Sequence, residues 1–355
     1  MQISRRKTAQ IKVGKLYIGS DHPISIQSMS AIPATKVDEC VKQALEMQAA
    51  GCDIFRFAVP DKNAVKVFEA AKKAGVTMPL VADIHFDHKL AIECAYGGAD
   101  KIRINPGNIG SDDRVHEVVK ACRANGLPIR IGVNSGSLEK EILAKHGSPT
   151  PEALAESAMY HASLLEKFDF YETVISIKSS NSKNVIEANR ILAEKCDYPL
   201  HIGVTEAGSI KTGILKSAVG IGALLTDGIG DTVRVSLTAD PKEEIKAARD
   251  ILKAVGYSAS GINLVSCPTC GRTQIDLVSL VNEFESRIDD IKTSRPITVA
   301  LMGCVVNGPG EAREADIGIA GGKGEALLIK KGEIIRKLPE DKIIGQLIDE
   351  IKKLD

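Results

Sequence analysis

The chain has no tryptophan and few other aromatic residues, with six Tyr and seven Phe among 355 residues. It also has no net charge, because 46 basic side chains balance 46 acidic ones. A nucleic-acid-binding protein of this size typically carries a basic surplus, and an acidic disordered chain has fewer aliphatic residues than this one. We therefore expect no nucleic-acid partner, and any cationic surface must be local.

Long apolar runs are also missing. The longest weakly polar stretch, near residues 217–225, is far shorter than the roughly 20 apolar residues that span a bilayer. Residues 1–14 are polar and basic, without the apolar segment of a signal peptide. We expect no membrane partner and a cytoplasmic location, where thiols stay reduced and the eight cysteines form no disulfides.

Between residues 24 and 236, short β-branched runs alternate with longer amphipathic stretches. The predicted strands are 24–29, 53–59, 80–85, 101–105, 129–134, 174–178, 200–205 and 232–236. Eight βα units in series predict an α/β fold, a closed (β/α)8 TIM barrel. A doubly wound open sheet is the alternative that has the same alternation.

The predicted strands carry polar residues on one face. In strand 101–105, Arg103 and Asn105 oppose Ile102 and Ile104, and the other strands divide in the same way. The aliphatic face must meet the helices, so the polar face is expected in the barrel lumen near the carboxyl ends of the strands, where such barrels keep their active sites. The candidate residues are Arg56, Asp83, His85, Arg103, Arg130, Asn134, Lys178, Thr205, Glu206, Arg234 and Ser236.

Five of these candidates are cations, whereas only Asp83 and Glu206 are acids. A single arginine in a strand is more often a salt-bridged edge residue than a ligand contact. Five cations at equivalent strand positions would repel one another in a partly dry lumen and need an anionic partner. The pattern predicts a substrate with several negative charges, most simply a diphosphate.

Three of the eight cysteines stand apart from the five that lie among aliphatic residues. Cys267 and Cys270 form a C-x-x-C motif, and Cys304 precedes a Gly308-Pro309-Gly310 turn with Glu311 behind it. A structural zinc site, the alternative, takes four Cys or His ligands, and no histidine follows Cys270. Three cysteines and a replaceable carboxylate suit a catalytic [4Fe–4S] cluster, in which one iron must be free for substrate.

We expect a barrel over residues 1–255, a linker over 256–263 and a small α/β iron–sulfur domain over 264–355. The predicted elements of this domain are a helix at 273–290, strands at 298–301 and 317–320, a hairpin from 325 with Gly332 at its turn, and a helix at 341–353.

The motifs resemble those of the 4-hydroxy-3-methylbut-2-enyl diphosphate synthase family, in its short bacterial form. The resemblance covers the whole chain, and its most specific segments run from Cys267 to Thr273 and from Gly303 to Glu311. It implies reductive ring opening of 2-C-methyl-D-erythritol 2,4-cyclodiphosphate, with loss of water, in the non-mevalonate isoprenoid pathway.

The resemblance also implies residue roles. Cys267, Cys270, Cys304 and Glu311 hold the cluster, and the barrel candidates bind the substrate. Glu206 takes part in proton transfer, and Asn307 reaches the substrate. The implied partners are a reduced flavodoxin or ferredoxin and a second copy of the chain, with active sites shared between the two.

Two alternatives stay open. One is a non-catalytic phosphate-ligand-binding barrel with a structural zinc domain. The other is a sulfite or nitrite reductase, which would need a sirohaem and a fourth cysteine that the tail lacks.

Overall fold

The computed structural model describes residues 3–257, 260–288, 291, 293–306 and 308–354. The predicted site residue Asn307 lies outside the described residues. The chain forms two compact units, Met1–Val255 and Gly256–Asp355. Within the described ranges, no helix has the length and apolarity needed to cross a membrane.

The described residues of the first unit form ten strands. They are β1 Ile11–Val13, β2 Leu16–Ile18, β3 Ser25–Met29, β4 Ile54–Ala58, β5 Leu80–Asp83, β6 Lys101–Ile104, β7 Ile129–Asn134, β8 Thr173–Lys178, β9 His201–Ile202 and β10 Thr232–Val233. The last eight pair in parallel in the order β8-β7-β6-β5-β4-β3-β10-β9. A parallel bridge between Ile175 and Leu200 joins β8 to β9 and completes the ring. The predicted TIM barrel is confirmed, and the doubly wound alternative is wrong.

Helices follow the barrel strands. They are α1 Val37–Ala49, α2 Lys62–Lys73, α3 His88–Tyr96, α4 Pro106–Ile109, α5 Asp112–Ala124, α6 Lys140–His146, α7 Pro151–Glu166, α8 Ser182–Lys195, α9 Ile210–Thr226 and α10 Pro241–Val255, with a 3-10 turn at Ser135–Ser137. Local chemistry sets their ends. The Asp61 carboxylate accepts hydrogen bonds from the backbone N–H groups of Asn63 and Ala64 and so begins α2.

The strand register arranges the inward side chains in layers of four. Arg103 pairs with Arg130, and Arg130 pairs with Val174, so that alternate strands contribute to one level. The lower layer is Ile54, Lys101, Val174 and Thr232. The middle layer is Gln27, Val81, Arg130 and His201. The upper layer is Arg56, Arg103, Ser176 and Arg234.

An N-terminal hairpin, β1 and β2, closes the amino end of the barrel. The hairpin was not predicted from the sequence. Its buried residues Ile11, Val13 and Ile18 form one apolar cluster with Ile54, Val81 and Val174 of the barrel. Because the latter three point inward, the hairpin seals the lumen at the end opposite the carboxyl mouth.

The second unit is a mixed sheet packed against helices. Its elements are β11 Gly261–Ser266, α11 Leu277–Ile288, β12 Pro296–Met302, α12 Gly308–Arg313, β13 Ile317–Gly322, β14 Glu325–Lys330, β15 Glu333–Pro339, a 3-10 turn at Glu340–Lys342 and α13 Ile343–Ile351. The strands lie in the order β11-β12-β13-β14-β15, with the first three parallel and the rest antiparallel.

Two details of this unit differ from the sequence prediction. Strand β11 overlaps the predicted linker over 256–263, because residues 261–266 pair with β12 along its length. The predicted Gly308-Pro309-Gly310 turn is the first turn of α12. Proline is well tolerated in the first turn of a helix, where its missing N–H has no intrahelical acceptor.

Candidate active site

The upper layer of the barrel gathers its cations around one carboxylate. Arg103 Nη1 lies 2.9 Å from Asp83 Oδ1, and Arg56 Nε lies 3.5 Å from Asp83 Oδ2. Arg56 Nη2 also lies 2.8 Å from the sulfur of Met29, and Arg234 Nη1 lies 3.6 Å from the same sulfur. The structure therefore brings four predicted candidates together at the end of β5.

Arg130 and Lys178 complete the cationic group. Burial lowers the pKa of both side chains well below their ordinary values, and the positive charges of Arg56 and Arg103 lower them further. Burial also lowers the pKa of Arg56, to about 10. Burial alone would raise the pKa of Asp83, but Arg56 and Arg103 hold it below its usual range. The lumen thus strongly favours added negative charge.

Glu244, in the first turn of α10, is a second carboxylate at this site, and it was not among the candidates predicted from the sequence. Its Oε2 accepts a hydrogen bond from Ser28 Oγ at 2.7 Å, and its Oε1 lies 3.5 Å from Arg234 Nη2. The backbone N–H of Leu237 donates to the same Oε1 at 3.1 Å. No sequence signal marked this residue, because its role depends on α10 packing against β3, which brings Glu244 to Ser28 and Arg234.

The remaining barrel candidates lie at the rim. Asn134 ends β7 in register with Lys178, and Thr205 is half-buried, with its N–H donating to the Ser179 carbonyl. Ser236 is half-buried beyond β10. His85 is exposed, although its charge still lowers the pKa of Asp83.

Glu206 is exposed and has a φ of +51°, a conformation that is uncommon for residues other than glycine. Backbone conformations of this kind cost free energy and cluster at functional sites.

In the second unit, one open cavity of about 220 Å³ contains all four predicted cluster ligands. Its lining is Cys267, Pro268, Cys270, Arg272, Met302, Cys304, Gly308 and Glu311. Cys304 is buried at the end of β12, whereas Cys270 and Glu311 are exposed. The three cysteines come from two loops that follow the parallel strands β11 and β12, so the carboxyl ends of both strands meet at one edge.

Backbone hydrogen bonds reach two of the three cysteines at this cavity. The Gly303 N–H donates to Cys267 Sγ at 3.2 Å. A backbone hydrogen bond from Arg272 lowers the pKa of Cys270, and the Arg272 side chain lowers it further. Thiolates are the form of cysteine that binds iron, so this local environment suits the ligand role.

The donor set and the cavity fit a polynuclear cluster. Within the described ranges, no three cysteine, histidine or carboxylate side chains converge at the spacing of a single bound ion. The three sulfur atoms and Glu311 instead surround a void. A [4Fe–4S] cluster takes one protein ligand at each of its four irons, and such ligands surround a volume of this kind.

Comparison with known proteins identifies the family. The profile described as the GcpE TIM-barrel domain matches residues 8–249, and the GcpE protein C-terminal domain matches residues 263–353. The 4-hydroxy-3-methylbut-2-en-1-yl diphosphate synthase (flavodoxin) of Clostridium perfringens is 55% identical over 352 residues, covering 99% of this chain and all of that protein. The enzyme of the same name from Geobacillus thermodenitrificans is 53% identical, covering 99% of this chain and 93% of that protein.

The chain belongs to the 4-hydroxy-3-methylbut-2-en-1-yl diphosphate synthase family. The resemblance stated from the sequence motifs is confirmed, and so is the prediction of an enzyme. The comparisons give no support to a non-catalytic phosphate-binding protein.

The barrel of this synthase family member is also similar to a solved structure of another enzyme. Type I 3-dehydroquinate dehydratase from Clostridium difficile superposes with a TM-score of 0.52 at 14% identity, covering 70% of this chain and 98% of that one. Similarity at this level of identity shows a shared barrel fold and nothing about the reaction.

Proposed function

We propose that the chain reduces 2-C-methyl-D-erythritol 2,4-cyclodiphosphate to 4-hydroxy-3-methylbut-2-enyl diphosphate. The reaction takes up two electrons and two protons, opens the ring at C2 and removes the C3 hydroxyl as water. The observation that carries the proposal is the cavity lined by Cys267, Cys270, Cys304 and Glu311. Family membership supports the same reaction, because the relatives are named for its product.

The barrel cations supply the binding site for the diphosphate. Arg56, Arg103 and Arg234 occupy the upper layer, and Arg130 and Lys178 lie close enough to interact with them electrostatically. Arginine donates two parallel hydrogen bonds to phosphate oxygens, which fixes the orientation of the substrate as well as binding it. The same charges stabilise the phosphate oxygen that leaves C2. The proposed contacts also include Asp83, His85, Asn134, Thr205 and Ser236.

The second unit supplies the ligands of the redox group. Three thiolates, those of Cys267, Cys270 and Cys304, would hold a [4Fe–4S] cluster, with Glu311 at the fourth corner. When bound, the cluster supplies single electrons and a Lewis-acidic iron for the C3 oxygen. Glu311 is exposed in the first turn of α12, so its carboxylate can leave without disturbing the buried Cys304. A carboxylate is a harder and more easily displaced ligand than a thiolate.

Glu206 is proposed as the acid that delivers a proton. It lies on the loop that follows β9, at the carboxyl end of the barrel, and has a left-handed backbone conformation. Asn307 is proposed as a further substrate contact.

The electron donor is proposed to be a reduced flavodoxin, the protein printed in the names of the relatives, or a ferredoxin. Cytoplasmic location remains a prediction.

Anaerobic purification tests the redox assignment. The expected protein is brown, absorbs broadly near 400 nm and contains about four iron atoms per chain. A colourless protein with one zinc per chain would overturn the proposal in favour of the zinc alternative.

Cys304→Ser should lose the colour and the activity while the barrel still unfolds cooperatively. Cys122→Ser, which alters a buried thiol in α5, is the matched control and should keep both.

A homodimer with active sites shared between chains is also proposed. Complementation between two inactive variants tests it, using Arg130→Ala and Cys304→Ser with different affinity tags. If each site combines a barrel and a cysteine cluster from different chains, the co-expressed mixed dimer has one intact site. Random pairing should then restore about a quarter of wild-type activity. Purified mixed dimers without activity would show that each chain forms its own site.

A further inference from the structure

Below the proposed substrate-binding cations, the barrel lumen holds polar side chains that the proposed function does not use. Lys101 lies in the lower layer, and Gln27 and His201 lie beside Arg130 in the middle layer. Lys101 and His201 are fully buried, and Gln27 and Arg130 are each 1% exposed. The N-terminal hairpin closes the lumen beneath them. Bulk water therefore does not solvate this group.

Most of their polar atoms lack a partner. Within the part of the chain that the structure describes, no hydrogen bond reaches Lys101 Nζ, Arg130 Nε, Arg130 Nη1, His201 Nε2 or either amide atom of Gln27. The His201 ring is anchored from its other side, where Nδ1 lies 2.7 Å from Thr232 Oγ1. Buried polar atoms almost always form hydrogen bonds, so this group of side chains indicates a bound species that supplies the missing partners.

The positive charges of this buried group in the lumen also lack compensating negative charges. Burial lowers the pKa of Lys101 well below its ordinary value, and the charges of Arg130 and Arg56 lower it further. Burial lowers the pKa of His201 as well, with Arg130 and Lys178 as the next causes. The nearby carboxylates are already engaged, since Asp83 contacts Arg56 and Arg103, and Glu244 contacts Arg234. Among described residues, Lys101 and Arg130 form no ion pair.

Hydrogen-bonding capacity separates an anion from water. Lys101 Nζ and both free Arg130 nitrogens, in their charged forms, and the Gln27 amide nitrogen only donate, and the Gln27 amide oxygen only accepts. The group has four free donor atoms and at most two free acceptor atoms, the Gln27 amide oxygen and His201 Nε2, and a water molecule would leave the adjacent positive charges uncompensated. An anion accepts from every donor and compensates the adjacent positive charges.

We propose that Lys101, Arg130 and Gln27 enclose a small inorganic anion, chloride being the simplest, within the barrel lumen. The anion holds the Arg130 guanidinium in place beneath the upper layer and reduces the repulsion between the two layers. It is resident in the protein without substrate, so the inference goes beyond the proposed reaction. A phosphate oxygen of the substrate has the same chemistry, and the experiment must separate the two sources.

Bromide substitution tests the proposal directly. Crystals of the holoenzyme, grown without substrate in bromide, should give an anomalous peak within about 3.5 Å of Lys101 Nζ and of the Arg130 guanidinium. The Tm of the holoenzyme should be higher in chloride than in gluconate at equal ionic strength, because a ligand of the native state stabilises it. Both measurements use the wild-type protein, and neither requires turnover.

Variants check the assignment to this cage. Lys101→Met keeps the length of the side chain and removes its charge, so the bromide peak and the chloride-dependent shift in Tm should both disappear. Lys195→Met, at the exposed end of α8, removes one charge from the surface and should change neither.

Two outcomes would overturn the inference. One is a wild-type protein with no bromide peak and the same Tm in chloride and gluconate. The other is a substrate complex in which a phosphate oxygen occupies the cage and substrate-free crystals show no halide, which would assign the cage to the substrate. Failure of the proposed reaction would leave the halide measurements unchanged, so the two proposals fail separately.

Discussion

The guanidinium of Arg103 occupies the space where a side chain on Gly132 would lie. A Cβ atom built on Gly132 would collide with Arg103 Nε and approach Nη2 to 2.5 Å, and Arg103 Nη2 donates a hydrogen bond to the Gly132 carbonyl at 3.3 Å. The absence of a side chain on Gly132 in β7 thus leaves room for the guanidinium of Arg103 from β6, which also contacts Asp83 on β5.

Gly132→Ala should displace Arg103 and weaken substrate binding. We expect KM to rise about tenfold, equivalent to about 1.4 kcal/mol, because one bidentate phosphate contact is misplaced. Cluster absorbance should not change. Steady-state kinetics measure the effect. Gly136→Ala, where an added Cβ meets no atom within 4 Å, is the control and should behave as wild type. An unchanged KM in Gly132→Ala would contradict the positioning role.

Asp83→Asn should destabilise the barrel near neutral pH. Removing this carboxylate leaves Arg56 and Arg103 buried without compensation, which costs about 3 kcal/mol. Urea unfolding at pH 7 measures the loss. Asp113→Asn, at an exposed position in the first turn of α5, is the control and should cost little.

The loss of stability in Asp83→Asn should also depend on pH. Because the folded-state pKa of Asp83 lies below its ordinary value, its stabilising effect is complete above the unfolded-state pKa of about 4. The effect is lost as the pH falls from there toward the folded-state pKa. The difference in unfolding free energy between wild type and Asp83→Asn should therefore shrink below pH 4. A difference that grows in acid would be inconsistent with the ion pairs.

Alkylation should distinguish the cysteines. Burial raises the pKa of Cys52, Cys94 and Cys122 to about 12, whereas Arg272 lowers the pKa of the exposed Cys270. Iodoacetamide at pH 8 should label Cys270 first in protein stripped of its metal, because the thiolate is the reactive form. Peptide mass spectrometry measures the labelling. The holoenzyme should be protected at Cys270, and equal labelling with and without the cluster would contradict its role as a ligand.

Glu244→Gln should loosen the orientation of the Arg234 side chain without unfolding the barrel. The amide keeps the size of the side chain and can still accept from Ser28, but it removes the charge 3.5 Å from Arg234 Nη2. We expect KM to rise severalfold with kcat little changed, since the contact orients a binding residue. Glu243→Gln, the neighbouring acid on α10, should have wild-type kinetics. A fall in kcat alone would instead place Glu244 in the chemical step.

Much of the fold followed from local sequence. All eight barrel strands were predicted to within a few residues, because β-branched runs and amphipathic stretches report directly on which side of an element is buried. Strand parity also predicted that Arg103 and Arg130 would share the lumen, since alternation between faces needs no tertiary information. The hairpin β1 and β2 was missed because its three-residue strands carry too little pattern, and they are buried only by contact with the barrel.

The sequence by itself determined which residues are the candidates for the chemistry: the strand cations, the C-x-x-C motif, Cys304 and Glu311. Only the tertiary structure decided which other residues contact these candidates and position them. The role of Glu244 depends on α10 packing against β3, and the role of Gly132 depends on the space that it leaves for the side chain of Arg103. The buried group around Lys101 depends on a strand register that closes through Ile175 and Leu200. Side-chain type and spacing are local properties, whereas charge compensation in a closed lumen is set by all eight strands together.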